Sequence, residues 1–355
     1  MGESTDRCIV RNSLIKMKLR ELTNINVAEK RILLRCDFDT PSHSFHNDLR
    51  VVSSLDTINY LLSKKSTVVV VSHRGRPKGK EEELSLFPIA SYIATELKTS
   101  THPVNIGEFS GWQVGESLLI LENIRFFKEE EENNETFSRK LSALGDLYVN
   151  DAFASSHRKS ASVVGITSFL PSYAGPRLIL EVETLSKIID SPKRPLTIII
   201  GGSKIETKLP LVEKMHHFAD YVLVGGEIAE QDKILLRIQH DRKKAILLVA
   251  DVTPEKDDIT QKSLENFIQV IKNSKTVVWN GPMGFLEKGK TFTTFRIAEE
   301  ISDKVSYSVV GGGDTLSFLS KKNLLDDFTF VSSGGGAMLE FLSGEKLPGL
   351  EVLSG

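Results

Sequence analysis

Two doubly wound α/β domains are expected from three features: the chain length, the alternation of short β-branched runs with longer helical stretches, and a break near residue 175. At 355 residues the chain exceeds one ordinary hydrophobic core. Strand candidates are Arg31–Cys36, Thr67–Ser72, Leu118–Leu121, Leu147–Asn150, Thr197–Ile200, Tyr221–Val224, Ala245–Val249, Thr276–Trp279, Tyr307–Val310 and Phe328–Val331. Several are continuously apolar, as parallel strands covered on both faces must be. Such alternation implies right-handed crossovers and open sheets. Around Pro171, Gly175 and Pro176 the pattern breaks, and a helix over Leu178–Asp190 is expected as the connector. The expected boundaries are a flexible extension over 1–18, a first domain over 19–175, a second over 176–342, and a tail, 343–355, returning to the first. The acidic run at 129–133 reads as a brief loop or helix start.

Composition narrows the function. Apolar residues make up 40% and charged residues 26%, with a net charge of −2, so the chain is globular and carries no global basic field for nucleic acid or membrane. Any anion site must be built from local charge. The two cysteines, Cys8 and Cys36, show no metal spacing and exclude a disulfide framework. No apolar run approaches the roughly 18 residues that span a bilayer. The opening residues lack a secretory h-region, and Asp6 breaks the myristoylation pattern. A cytoplasmic protein is expected, and a monomer, since nothing marks an apolar interface.

In the second half, strand after strand ends in glycine: TIIIGG, YVLVGG, TVVWNGPMG, YSVVGGGDT and FTFVSSGGG. Ligands of parallel α/β sheets bind beyond the carboxyl ends of the strands. Glycine there lets the backbone approach closely, and the following helix offers free N–H groups to an anion. Five such ends on one rim describe a cradle for a polyphosphate. Lys204 and Lys208 stand four apart at a helix start, either as a solvated face or as phosphate contacts; their place after a Gly-Gly strand end favours the latter. Asp314, followed by Thr315, is the magnesium candidate, although an N-cap is the commoner role of such an aspartate. Neither a P-loop nor a dinucleotide fingerprint occurs.

First-half strand ends carry cations instead. His73, Arg76, Arg125 and Arg158 lie at or just beyond such ends, and Arg50 opens a helix. Singly, each arginine reads as a surface ion pair and His73 as a structural histidine. Together they favour a second anion site, for a small phosphorylated and carboxylated molecule. No nucleophile–base set or metal cluster accompanies them. Phosphoryl transfer relies on positioning and charge stabilisation, and a carboxylate acceptor needs no base at neutral pH.

The stretches RILLRCDFDTP, SHRGRPKG, LENIRF, VNDAFASSHR, RPLTIIIGGSKIETK, KTVVWNGPMG, VVGGGDT and SSGGGAMLEFLSGEKLPG closely resemble the phosphoglycerate kinase family, in its order, from about residue 30 onward. The resemblance implies reversible, magnesium-dependent phosphoryl transfer between 1,3-bisphosphoglycerate with ADP and 3-phosphoglycerate with ATP, in glycolysis and gluconeogenesis. It implies a first domain for the glycerate, a second for the nucleotide, and a hinge closing an interdomain cleft. Matched to glycerate-site motifs are Asp37, Phe38, Asp39, Arg50, His73, Arg74, Gly75, Arg76, Arg125 and Arg158. Matched to nucleotide-site motifs are Lys204, Lys208, Glu287, Gly312, Gly313, Asp314 and Thr315. Glu287 would contact the ribose, and Gly334, Gly335 and Gly336 would offer N–H groups to phosphates. Arg50, Lys204 and Lys208 would stabilise the migrating phosphoryl group.

Three departures stand out. Asp39 replaces the usual asparagine, so weaker glycerate affinity is expected unless it is protonated or paired with an arginine. Glu227 replaces a third glycine, and the segment from there to Ala245 is short. Asp258-Ile259-Thr260 replaces a D-I-G stretch. The alternatives are a catalytically weakened homologue that binds or regulates and, on architecture alone, a nucleotide-dependent dehydrogenase lacking its fingerprint.

Overall fold

The computed structural model describes residues 18–40, 45–203, 205–230 and 245–355. One compact unit runs to Glu183 and takes up Lys346–Gly355 again; the other is Thr184–Glu345.

The first unit holds a seven-stranded sheet of order β3-β4-β5-β2-β1-β6-β7. Its strands are β1 (Arg31–Arg35), β2 (Thr67–Val71), β3 (Thr101–Ile106), β4 (Phe109–Val114), β5 (Leu118–Leu121), β6 (Leu147–Asn150) and β7 (Ser172–Ala174). β1 shows why its run is continuously apolar: Ile32 and Leu34 enter one buried cluster, while Leu33 enters another on the opposite face. Helices α1 (Leu49–Ser63) and α2 (Phe87–Glu96) supply Val51, Ile58, Ile89 and Ile93 to the first cluster. The central strands pair in parallel. An antiparallel hairpin, β3–β4, occupies the edge and pairs antiparallel with β5. The strand candidates read from the sequence do not include this hairpin, because both of its strands are partly exposed and read as polar.

Two short helices, α3 (Lys128–Glu131) and α4 (Glu135–Ser142), follow β5, and α5 (Pro176–Asp190) follows β7. The acidic run belongs to α3, yet Glu130 is buried rather than solvated. At the far end of the chain Leu19 bridges Ser354, and the Gly349 N–H donates to the Ser156 carbonyl.

The second unit is a six-stranded parallel sheet of order β10-β9-β8-β11-β12-β13. Its strands are β8 (Leu196–Ile200), β9 (Tyr221–Val224), β10 (Ile246–Val249), β11 (Thr276–Asn280), β12 (Tyr307–Gly311) and β13 (Phe330–Val331). Helices α6 (Ile205–Met215), α7 (Gln261–Asn273), α8 (Phe292–Lys304), α9 (Gly313–Lys321) and α10 (Gly335–Leu342) alternate with them. Ile199, Val277, Trp279 and Val310 pack with Phe267, Ile297 and Phe318 in one core.

Candidate anion sites on two sheet rims

In the first unit the chain leaves β1, β2 and β5 through loops that lock together. The Phe38 N–H donates to Ser72 Oγ at 2.9 Å, and Ser72 Oγ donates back to the Cys36 carbonyl at 2.8 Å. Asn123 accepts from the N–H of Arg74 and of Arg125, and donates to the carbonyls of Arg74 and Leu84. Gly75, at φ +67°, is gripped from both sides: its N–H reaches Asp39 Oδ1 at 2.8 Å and its carbonyl takes Arg125 Nη1 at 2.7 Å.

Asp39, His73 and Arg125 therefore meet at one point. Asp39 Oδ2 lies 3.7 Å from His73 Nε2. Burial alone would push the Asp39 carboxyl up, but the His73 contact, the Gly75 N–H and the Arg50 charge outweigh it and hold the group well below the carboxylate range. Asp39 is thus ionised and compensated, not protonated. Burial, with help from Arg35 and Arg125, drives His73 down to about 3 against the opposing pull of Asp39, so the ring is neutral at neutral pH. Burial beside Arg158 and Arg35 lowers Arg125 to about 10, still charged. The cations crowd each other, an arrangement that an anion relieves.

Asp37 is buried and accepts from the Asp39 N–H at 3.1 Å, while its Oδ2 has no hydrogen-bond partner among the described residues. Burial raises its carboxyl, against the lowering influence of Arg50. Arg50 opens α1, where Asp48 caps the helix by accepting the Arg50 N–H at 3.0 Å. The same carboxylate takes Arg50 Nε at 3.1 Å and Nη2 at 3.0 Å, so one aspartate fixes both ends of this arginine.

The other expected residues divide. Phe38 is fully buried in the core, leaving only its backbone to line the site. Arg74 is buried and braces the loops, donating to the carbonyls of Thr40 and Ser85. Arg158 lies close enough to Arg125 to lower it, whereas Arg76 is exposed on the loop beyond Gly75. Arg35, unmarked in the sequence, lies at the centre of the cluster and is 2% exposed.

The second unit builds its rim from backbone. In sheet order, turns at Gly226, Gly201–Gly202, Gly281, Gly312 and Gly335 follow five neighbouring strands, and the turns touch. A Cβ on Gly226 would stand 2.5 Å from the Gly202 nitrogen, one on Gly281 2.1 Å from the Gly201 carbonyl oxygen, and one on Gly335 2.6 Å from the Gly312 Cα. Lys208 lays its ammonium over this row, donating to the Gly201 carbonyl at 2.5 Å. Lys204 lies outside the described residues. Gly313 and Asp314 form the exposed first turn of α9, where helix N–H groups lack intrahelical partners. Thr315 is buried and braces the row, its Oγ1 accepting the Gly281 N–H at 3.1 Å. Gly335 and Gly336 open α10, but the Gly334 N–H already faces Ser332 Oγ at 3.4 Å.

An open pocket adjoins the row, lined among others by Glu227, Met283, Phe285, Glu287 and Asp314. Asp258 also lines it and is anchored, accepting from Thr293 Oγ1 at 2.5 Å and from the Ile259 N–H at 2.8 Å. Thr260 caps α7, which accounts for a threonine where the family has glycine. Among the described residues no cluster of three or more His, Cys, Asp or Glu could hold a metal ion. A lone exposed carboxylate such as Asp314 suits magnesium, which takes most of its ligands from phosphates and water.

Paired α/β units, one rimmed by crowded cations and the other by glycine turns under a lysine, define an enzyme of the phosphotransferase class. A family profile described as phosphoglycerate kinase matches residues 22–233 and 231–345. The chain belongs to the phosphoglycerate kinase family, phosphotransferases with a carboxyl group as acceptor. It is 36% identical to the phosphoglycerate kinase of Dictyoglomus turgidum, covering 96% of this chain and 99% of the relative. The relative from Finegoldia magna is likewise 36% identical, over 95% of this chain and 99% of its own length. The first alignment extends over 394 positions, more than the 355 residues present, so that relative carries segments this chain lacks. The structure of phosphoglycerate kinase from Pyrococcus horikoshii OT3 superposes with a TM-score of 0.80 at 28% identity, covering 94% of this chain and 98% of that one. The Coxiella burnetii enzyme gives 0.75 at 30%, with 95% and 99% covered. Among the described residues no helix is long and apolar enough to cross a membrane.

Proposed function

We propose that this chain catalyses reversible phosphoryl transfer from ATP to the carboxylate of 3-phosphoglycerate, yielding 1,3-bisphosphoglycerate and ADP, as a cytoplasmic monomer in glycolysis and gluconeogenesis. A carboxylate oxygen forms a bond to the γ-phosphorus as the bond from that phosphorus to the bridging oxygen breaks; no proton has to be removed. The observation that carries this reading is the row of glycine turns with Lys208 upon it, in the same chain as a crowded cationic rim.

In this reading the first domain expected from the sequence, 19–175 with the tail 343–355, takes the glycerate, and the second, 176–342, takes the nucleotide. His73, Arg125 and Arg158 receive the phosphate of 3-phosphoglycerate, with Arg76 reaching in from its loop. Asp37 accepts from the substrate hydroxyl, which would satisfy its unpartnered oxygen. Arg50, pre-set by Asp48, faces the carboxylate and the migrating phosphoryl group together with Lys204 and Lys208. Glu287 takes the ribose; the N–H groups of Gly312, Gly313, Gly335 and Gly336 take phosphates. Asp314 would hold magnesium, which when bound neutralises phosphate charge.

A coupled assay of ATP-dependent phosphorylation of 3-phosphoglycerate tests the proposal. Turnover that chelation abolishes and magnesium restores is expected. A folded protein without turnover in either direction overturns it.

A further inference from the structure

A buried line of polar groups runs behind the cationic rim of the first unit. Glu130, 2% exposed, accepts from the Ser162 N–H at 2.8 Å and from Ser162 Oγ at 2.7 Å. Ser162 Oγ in turn accepts Arg35 Nε at 2.9 Å, and Arg35 Nη1 donates to the Cys36 carbonyl. Arg35 Nη2 stands 2.9 Å from His73 Nδ1.

The direction of every bond in this line is determined. Ser162 has one hydroxyl proton; a carboxylate only accepts, so that proton goes to Glu130 and the oxygen is left to accept from Arg35. Guanidinium has donors and no acceptor, so His73 Nδ1 must present its lone pair to Arg35. The ring's proton then sits on Nε2, on the side of Asp39. At 3.7 Å that proton is not committed to Asp39 and is available to an incoming anion.

We propose that Arg35 is a positioning residue for the glycerate site: anchored by Glu130 through Ser162, it locks His73 as the neutral Nε2–H tautomer and aims that single proton at the bound anion. The charged groups facing His73 are Arg35 at the end of β1, Asp39 in the loop beyond it, and Arg125 in the turn after β5. Two cations beside a buried ring oppose its protonation, and Asp39 supplies the counter-charge for a ring that donates without being charged. The part of the proposal concerning the anion rests on the function proposed above; the tautomer does not.

The ligand-free full chain, labelled with ¹⁵N-histidine, tests the lock directly, with the His73 signals assigned by their loss in His73→Gln. One tautomer is expected, unprotonated at Nδ1 and protonated at Nε2, unchanged from about pH 8 to about pH 5. A proton on Nδ1, an averaged pair of signals or a titration within that range overturns the proposal, whether or not the enzyme turns over. Arg35→Met then removes the donor at similar length. In that variant His73 is expected to exchange tautomers and to titrate at a value above the wild type's, though burial and Arg125 still hold it below an ordinary imidazole. The ratio of variant to wild-type KM for 3-phosphoglycerate then falls up to about tenfold as the pH drops through that value, with kcat little changed. A folded variant whose KM ratio stays flat there overturns the link to binding. If Arg35→Met does not fold, the measurement on the unaltered chain still decides.

Discussion

The two rims hold charge by opposite means. The first unit's rim is made of side chains, several of them held by another group: Asp48 holds Arg50, Gly75 joins Asp39 to Arg125, and Arg35 holds His73. The second unit's rim is made of backbone, where neighbouring turns approach so closely that a methyl group has no room. The first should therefore fail when charge is removed and the fold is left standing. The second should fail when bulk is added and every charge is left in place.

Arg50→Ala is the largest expected break. The variant keeps the Asp48 cap on the backbone N–H, and kcat should fall roughly 10²–10³-fold, the usual loss when one oriented donor to a transition state is removed. A loss confined to KM would place Arg50 outside the transfer step. Gly281→Ala is the matching break on the other rim. Its φ of +94° and the Gly201 carbonyl oxygen at 2.1 Å combine left-handed strain with a clash, and together should cost about 3 kcal/mol of stability and most of the nucleotide affinity. Calorimetry of ADP binding and a denaturant melt measure both; a stable variant that binds ADP normally would show that the turns are not packed as described.

A third experiment uses pH to sharpen the contrast. His73 has a folded-state value of about 3, below the unfolded value near 6.5, so only the unfolded chain takes up this proton in between. Its contribution is fully present above about pH 6.5 and is lost as the pH falls. The stability difference between wild type and His73→Gln should therefore shift by about 1 kcal/mol between pH 7 and pH 5.5, to the disadvantage of the wild type at the lower pH. A constant difference would mean a ring that titrates normally. Asp39→Asn is the smallest effect. The sequence alone suggested that this carboxylate penalises glycerate binding, but the Gly75 N–H, His73 and Arg50 already compensate it. A fall in KM of no more than about threefold is expected, as for a partly screened charge; a tenfold gain would show that the compensation fails.

Legibility in the sequence followed locality. Continuous apolar runs located the parallel strands other than β7 to within two residues, and glycine at strand ends located the row of turns in the second unit. The β3–β4 hairpin stayed hidden because its exposed edge residues carry no strong alternation. Arg35 and Glu130 were missed for a different reason. Arg35 is 127 residues from Ser162 and 38 from His73, so nothing near it in the chain signals its partners. Glu130 lies in a run of glutamates, and only the fold distinguishes the buried one. Phe38 and Arg74 lie in matching motifs, but the core and the loop carbonyls claim their side chains.

The touching glycines also constrain how such a protein can diverge. Gly202 faces Gly226, Gly201 faces Gly281 and Gly312 faces Gly335, so a change at one position demands room at its neighbour, and single substitutions along the row are closed to drift. Substitutions are accommodated more readily one layer away, on the pocket wall where Glu227 and Asp258 stand. The wall has room for change that the floor lacks.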